Sequence, residues 1–263
     1  MWRESKTRRY AARCFTPHIL YFADGELLAD MSTIEKDFDR LALLDSQGWT
    51  ANNHYHDFLL RHVPENCGRV LEVGCGTGAF SRRLAERAQH VTAIDLSTEM
   101  IRVARSRADK ISNIDFEVSN LMSRDFPAAQ FDCIATIATL HHVPMQQALV
   151  KLKDALKPGG ILIVLDLVEL KKNILSAEGL RDSLLNALAI GASCGLRLIH
   201  NGRLRPPPDV RAAWEEHGKT DSYLSIREAR ELYEPLFPGA IIRRHLLWRY
   251  SVMWQKPAVD SPD

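Results

Sequence analysis

The run Val70-Leu71-Glu72-Val73-Gly74-Cys75-Gly76-Thr77-Gly78 constrains this chain more than any other. An apolar strand ends in glycines at alternate positions, a spacing that suits a tight turn and neither strand nor helix. Glycine adopts positive φ without a Cβ penalty and lets the backbone approach a ligand closely. Residues 79–87 then read as an amphipathic helix, whose first N–H groups lack partners and favour an anionic group. A second apolar run, 91–94, ends at Asp95. A carboxylate there can accept from both hydroxyls of a ribose, as the acidic residue about 20 positions past the turn does in dinucleotide folds. The unit therefore reads as a site for a nucleoside-bearing cofactor.

The spacing selects among such cofactors. The dinucleotide fingerprint is G-x-G-x-x-G, whereas these glycines read G-x-G-x-G, with Ala79 where the third dinucleotide glycine would fall. Glu72 sits just before the turn. A fixed carboxylate there repels a pyrophosphate and suits an ammonium or sulfonium group. S-adenosylmethionine carries both.

The stretch from Val70 to Gly78 resembles motif I of the class I S-adenosylmethionine-dependent methyltransferases, and the likeness continues downstream. Asp95-Leu96-Ser97-Thr98-Glu99-Met100 resembles that family's segment after the second strand. Phe131-Asp132-Cys133-Ile134-Ala135-Thr136 followed by Leu140-His141-His142-Val143 resembles its fourth strand and loop. Leu156-Lys157-Pro158-Gly159-Gly160-Ile161-Leu162 resembles the turn before its fifth strand. The motifs stand in the family's order over residues 68–167, and the most similar group is the small-molecule type akin to ubiquinone and menaquinone biosynthesis methyltransferases. The resemblance implies an α/β fold: a Rossmann-like, seven-stranded, mostly parallel sheet with helices on both faces and a C-terminal antiparallel hairpin. It also implies S-adenosyl-L-methionine contacts at Tyr55, Glu72, Gly74, Cys75, Gly76, Gly78, Asp95, Leu96, Met100, Asn120, Leu121 and Ile137.

One position departs from the family. An acidic residue usually follows the third strand and accepts from the adenine amino group; here the residues are Ser119-Asn120-Leu121. Asn120 can accept through its amide oxygen without a charge-assisted bond, and Leu121 is the expected apolar neighbour of the ring.

His141 and His142 follow the fourth strand and are the candidate catalytic residues, since histidine suits proton transfer near neutral pH. They can equally shape the pocket or bond to backbone carbonyls. His54 and His56 flank Tyr55 in the N-terminal arm as a second histidine pair. No metal site is expected, because no metal-site spacing of cysteine and histidine appears. Trp49 and Trp214 are aromatic neighbours of the expected pocket.

The formal net charge of +1 gives no global field toward nucleic acid or acidic membranes. Five dispersed cysteines without C-x-x-C spacing read as free thiols in a reducing, cytoplasmic compartment. Cys75 and Cys133 are expected to be packing residues. No apolar run reaches the roughly 20 residues of a membrane span. Residues 1–30, with their basic cluster at Arg3, Lys6, Arg8, Arg9 and Arg13, are expected to be poorly ordered, Met31 being the natural beginning of such a domain.

Residues 31–67 read as a helical arm. The core, 68–167, alternates strands at 69–73, 91–94, 114–118, 131–137 and 161–167 with helices at 79–87, 98–108 and 146–156, which implies a parallel sheet covered on both faces. Residues 168–220 break the alternation. Within them, 184–196 reads as an apolar helix over the substrate pocket or as a core helix, and Asp209 as the cap of a helix at 210–217. In 221–257, Ser225-Ile226-Arg227-Glu228 matches a capping box, and strands at 240–245 and 248–254 form the hairpin. Residues 258–263 are a tail.

The expected function is methyl transfer from S-adenosylmethionine to a small-molecule acceptor by in-line displacement, in a monomer or homodimer that binds no nucleic acid. The alternative is a non-catalytic, cofactor-binding subunit that stabilises or regulates a partner.

Overall fold

The computed structural model describes residues 24–45, 48–169, 176–218 and 221–258. The basic cluster, Cys14 and the C-terminal tail beyond residue 258 lie outside them.

Seven strands form one sheet in the order β3-β2-β1-β4-β5-β7-β6. They are β1 (Cys67–Val73), β2 (Ala88–Asp95), β3 (Ile114–Val118), β4 (Phe131–Ile137), β5 (Leu156–Leu167), β6 (Ile241–His245) and β7 (Arg249–Gln255). β1 to β5 pair in parallel, and β7 runs antiparallel between β5 and β6. The chain order reverses between β1 and β4, which opens a crevice beyond their carboxyl ends.

Side-chain alternation with period two divides the core. Val70, Val91, Ala93, Ala135 and Ile163 enter one apolar cluster with Leu59, Phe80, Leu84 and Ile101. Leu71, Val73, Ile94, Ile134, Leu162 and Val252 enter the other with Leu149, Leu152, Tyr233 and Phe237. The first face is covered by α2 (His56–Leu60), α3 (Ala79–Leu84) and α4 (Thr98–Arg107), the second by α5 (Met145–Ala155) and α8 (Ile226–Leu236). Sheets buried on both faces produce near-continuous apolar strands, which is why β1, β4 and β5 read so clearly.

Three findings modify the expectations outside the core. The arm begins with α1 (Asp24–Leu44), so helix precedes Met31. The apolar stretch at 184–196 is the middle of a longer helix, α6 (Ala177–Asn201). Within it, Gly179–Asn201 is long and apolar enough to cross a membrane by length and composition alone, and little of it is buried. Polar side chains pin α6 to the domain: Arg244 bonds Asp182 at 2.5 Å, Trp248 Nε1 donates to Asn186 at 2.9 Å, and Asn201 brackets the Trp49 backbone at 2.7 and 3.0 Å. Its outward side leaves Leu184 and Leu188 exposed. The helix expected from 210 is α7 (Pro208–His217), with Pro207 at the cap and Asp209 inside the first turn. Proline lacks the N–H that the first helical position would leave unpaired, so the helix starts there. The capping box of α8 has both of its bonds, Ser225 N–H to Glu228 at 2.8 Å and Glu228 N–H to Ser225 at 3.3 Å.

Candidate active site

A cavity of about 810 Å³ opens at the carboxyl ends of β1, β2 and β4. That is toward the upper end for a small-molecule site, roughly 300–1,000 Å³. One end is the glycine loop after β1. Gly74, Gly76 and Gly78 all have positive φ. A Cβ on Gly74 would lie 2.0 Å from Thr139 Oγ1, so only glycine lets β1 and the β4 loop meet there. A Cβ on Gly76 would meet nothing nearer than Met100 sulfur at 3.9 Å, so this glycine presents bare backbone to the cavity.

Asp95, at the end of β2, is buried. One oxygen accepts from Gly76 N–H at 2.8 Å and the other from Ser97 N–H at 2.9 Å. Each carboxylate oxygen keeps a second lone pair, enough for the two hydroxyls of a ribose. Burial pushes its pKa up, and the two backbone N–H bonds hold it down.

Glu72 is 2% exposed and accepts from the Ser81 hydroxyl. Burial raises its pKa to about 8, against the pull of Ser81 and with a further push from Asp95. Burial therefore favours the protonated form of the carboxyl before the turn, and a neighbouring cation would favour the ionised form. Buried in the cavity wall, Glu72 has a strong physical reason to accept such a cation.

Of the residues expected to touch the cofactor, Glu72, Gly74, Cys75, Gly76, Asp95, Leu96, Met100, Asn120, Leu121 and Ile137 line this cavity. Tyr55 and Gly78 do not. The Tyr55 hydroxyl accepts from Leu247 N–H at 3.1 Å in the turn between β6 and β7, and its ring packs on His54 and His245. Gly78 caps the start of α3, where a Cβ would press on Phe116 at 2.9 Å. Asn120 faces the cavity, but its amide oxygen already accepts from Met122 N–H at 2.8 Å. Burial drives the Cys75 and Cys133 thiols well above their ordinary pKa, as packing residues require. Cys67, Cys75, Cys133 and Cys194 are free.

The arm contributes more than sequence indicated. Asp45 accepts from Thr77 Oγ1 in the glycine loop at 2.6 Å and pairs with Arg107 at 2.5 Å. Trp49, Asn52 and His56 also line the cavity. The imidazole of His56 lies against Phe80, and burial beside Arg83 lowers its pKa to about 4. His54 packs on Trp49 instead of entering the cavity.

At the far end, a 3-10 turn (Leu140–His142) after β4 carries both expected histidines. His141 Nδ1 donates to Asp166 on the neighbouring strand β5 at 2.6 Å. That bond fixes the ring and turns Nε2 toward Asp221, 3.9 Å away. His142 lies 3.9 Å from His141, ring centre to ring centre. Burial and that neighbour lower its pKa to about 3, so it stays neutral. Asp221 and His217 close this end, with Tyr223 donating to Asp221 at 2.8 Å. These residues lie beyond the motifs, in a region with no family pattern to flag them. The cavity is also lined by Arg197 and Asn201, which lie against Trp49, by residues of the following loop through Pro207, and by α7, whose Trp214 packs on His217. The 184–196 stretch does not line the cavity, because the pinning contacts of α6 turn only its C-terminal end inward. Arg249, 8% exposed, is held by Asn52 at 2.7 and 2.9 Å and by two carbonyls; burial lowers its pKa to about 10.

The donors and acceptors fit S-adenosylmethionine: paired acceptors at Asp95 for a ribose, a buried acid at Glu72 for a cation, and apolar Leu121 and Met100 for a ring. Comparison with known proteins agrees. A family model described as a methyltransferase domain matches residues 70–160. An uncharacterized methyltransferase of Mycobacterium bovis is 33% identical over 214 residues, 80% of this chain and 98% of that protein. A ubiquinone biosynthesis O-methyltransferase of Xylella fastidiosa is 42% identical over 113 residues, 41% of this chain and 45% of that protein. Two solved structures share the fold. The complex between the Haloferax volcanii Trm112 methyltransferase activator and a methyltransferase has a TM-score of 0.60 at 16% identity, covering 87% of this chain and 100% of that one. DhpI in complex with SAH has a TM-score of 0.55 at 20% identity, covering 88% and 97%. Fold, glycine loop and a relative matched over nearly its whole length agree, and the chain belongs to the class I S-adenosylmethionine-dependent methyltransferases.

Proposed function

We propose that the protein transfers the methyl group of S-adenosylmethionine to a small molecule bound between His141 and α7. The observation that carries this reading is the continuity of one cavity from Gly76 and Asp95 to His141 and Trp214. Its size suits a cofactor together with a small acceptor. The bound cofactor supplies an electrophilic methyl carbon on a sulfonium.

The chain's own residues then have three tasks. Gly74, Gly76 and Asp95 hold the nucleoside, with Asn120 and Leu121 beside the ring. Glu72 compensates positive charge. His141, fixed by Asp166, presents the Nε2 lone pair to the acceptor and takes its proton; His142, held neutral, shapes the pocket beside it. Removing a general base typically costs 10²- to 10⁴-fold in rate.

The test is methyl transfer from labelled S-adenosylmethionine to a panel of hydroxylated, amino and carboxylated metabolites. A labelled product that disappears in His141→Ala supports the reading. The second reading is a cofactor-binding subunit serving a partner; Asn120 in place of an acidic residue supports it. Firm cofactor binding with no product across the panel, and a copurifying protein, would choose that reading.

A further inference from the structure

We propose that His141, His142 and Asp221, supported by His217, form a binding site for a divalent cation of the zinc or iron(II) type at the acceptor end of the cavity. One ligand atom from each of His141, His142 and Asp221 lies within 4.8 Å of the others. The His142 Nδ1 to Asp221 separation is 3.4 Å and that of His141 Nε2 to Asp221 is 3.9 Å. Ligand bonds of roughly 2.0–2.2 Å to one ion put ligand atoms about 3 to 4 Å apart, so small rotations close this set.

The surrounding contacts strengthen the case. Asp166 accepts from His141 Nδ1 at 2.6 Å and orients its Nε2 toward Asp221, 3.9 Å away. His217 repeats the arrangement, with Nδ1 3.4 Å from Asp37 and Nε2 3.8 Å from the same Asp221 oxygen. Two imidazole nitrogens thus converge on one carboxylate oxygen, to which Tyr223 donates at 2.8 Å. A cation at this point would be within reach of all of these groups. Carboxylates on the outer nitrogens of metal-binding histidines are the usual second layer of such sites. Two imidazoles and a carboxylate with an open position suit zinc and iron(II) over magnesium or calcium. The set is invisible to sequence spacing because Asp221 comes from the segment after α7, far along the chain from His141.

The inference rests on the reading that the acceptor occupies this end, and it changes how His141 acts there, as a ligand instead of a proton acceptor. The open coordination position faces the cavity and would take an anionic oxygen of the acceptor.

The experiment uses the full chain without an affinity tag, stripped with chelator. It is titrated with Zn²⁺ by calorimetry and with Co²⁺ by visible absorption. One equivalent per chain with ligand-field bands is expected. Asp221→Asn and His142→Gln should each weaken binding at least tenfold, while S-adenosylmethionine affinity changes less than twofold. Asp166→Asn, which leaves all ligands in place, should weaken binding about tenfold. Wild-type protein that binds S-adenosylmethionine but no Co²⁺ overturns the metal site and leaves methyl transfer intact. So does metal binding that survives both ligand substitutions in folded protein.

Discussion

The carboxylate of Asp39, in α1, accepts from the hydroxyl of Ser97 at 2.5 Å and also from the Glu99 amide at 3.1 Å. Ser97 in turn caps α4 by accepting from Met100 N–H at 3.0 Å. The N-terminal arm thus holds the segment that follows Asp95. With Asp45, just past α1, bonded to Thr77, the arm braces both loops at this end of the cavity.

Asp39→Ala should therefore weaken cofactor binding several-fold without touching the cofactor. The lost cap contact should cost about 1 to 2 kcal/mol of stability. Thermal unfolding and S-adenosylmethionine titration measure both, and unchanged values in each would show that the arm packs without bracing.

Glu72 makes the cofactor-free protein pH-sensitive. Its folded pKa of about 8 lies above the ordinary 4.5, so the folded state binds more protons than the unfolded one between these values. Its contribution to stability is full below pH 4.5 and is lost as pH rises through about 8. Glu72→Gln should remove that loss and raise the melting temperature relative to wild type at pH 8 more than at pH 5. Parallel melting curves at both pH values would contradict the assignment.

A cation beside Glu72 favours its ionised form. Binding of S-adenosylmethionine at pH 7 should then release a proton. Calorimetric titrations in two buffers of different ionisation enthalpy would differ in apparent heat for wild type and agree for Glu72→Gln.

Both oxygens of Asp95 already accept backbone N–H groups. Asp95→Asn offers one acceptor where two are needed and turns an amide N–H₂ toward a backbone N–H. It should therefore weaken cofactor affinity about 10- to 100-fold, nearly as much as Asp95→Ala. Wild-type affinity in the asparagine variant would place the ribose elsewhere.

His141→Ala should lower kcat by about 10²- to 10⁴-fold at unchanged cofactor affinity, once an acceptor is in hand. Asp166→Asn should lower it less, because an amide oxygen can still accept from Nδ1 while losing the charge that favours an imidazolium. Equal KM increases with unchanged kcat in both would assign the pair to binding alone.

The cofactor end was legible in the sequence because its parts are local. A strand, three glycines and a helix make one continuous turn, and Asp95 follows one strand later, so spacing alone reveals which groups meet. The alternation of apolar strands and amphipathic helices likewise implied the parallel sheet, since burial on both faces leaves a periodic record. Gly78 and Tyr55 stand outside the cavity lining, because sequence shows that a residue is near a site and not which way it faces; the contacts with Phe116 and Leu247 turn them elsewhere.

What the chain determined by itself is a fold and a cofactor. The acceptor end was decided by tertiary structure. Asp39 in α1 reaches Ser97 and Glu99 after β2, Asp45 just past α1 reaches Thr77 in the glycine loop, Asp166 reaches His141 from the adjacent strand, and His217 at the end of α7 and Asp221 beyond it reach His142. Those contacts join segments far apart in the chain, and each charge is placed by the packing of a helix or strand whose own sequence pattern records only burial.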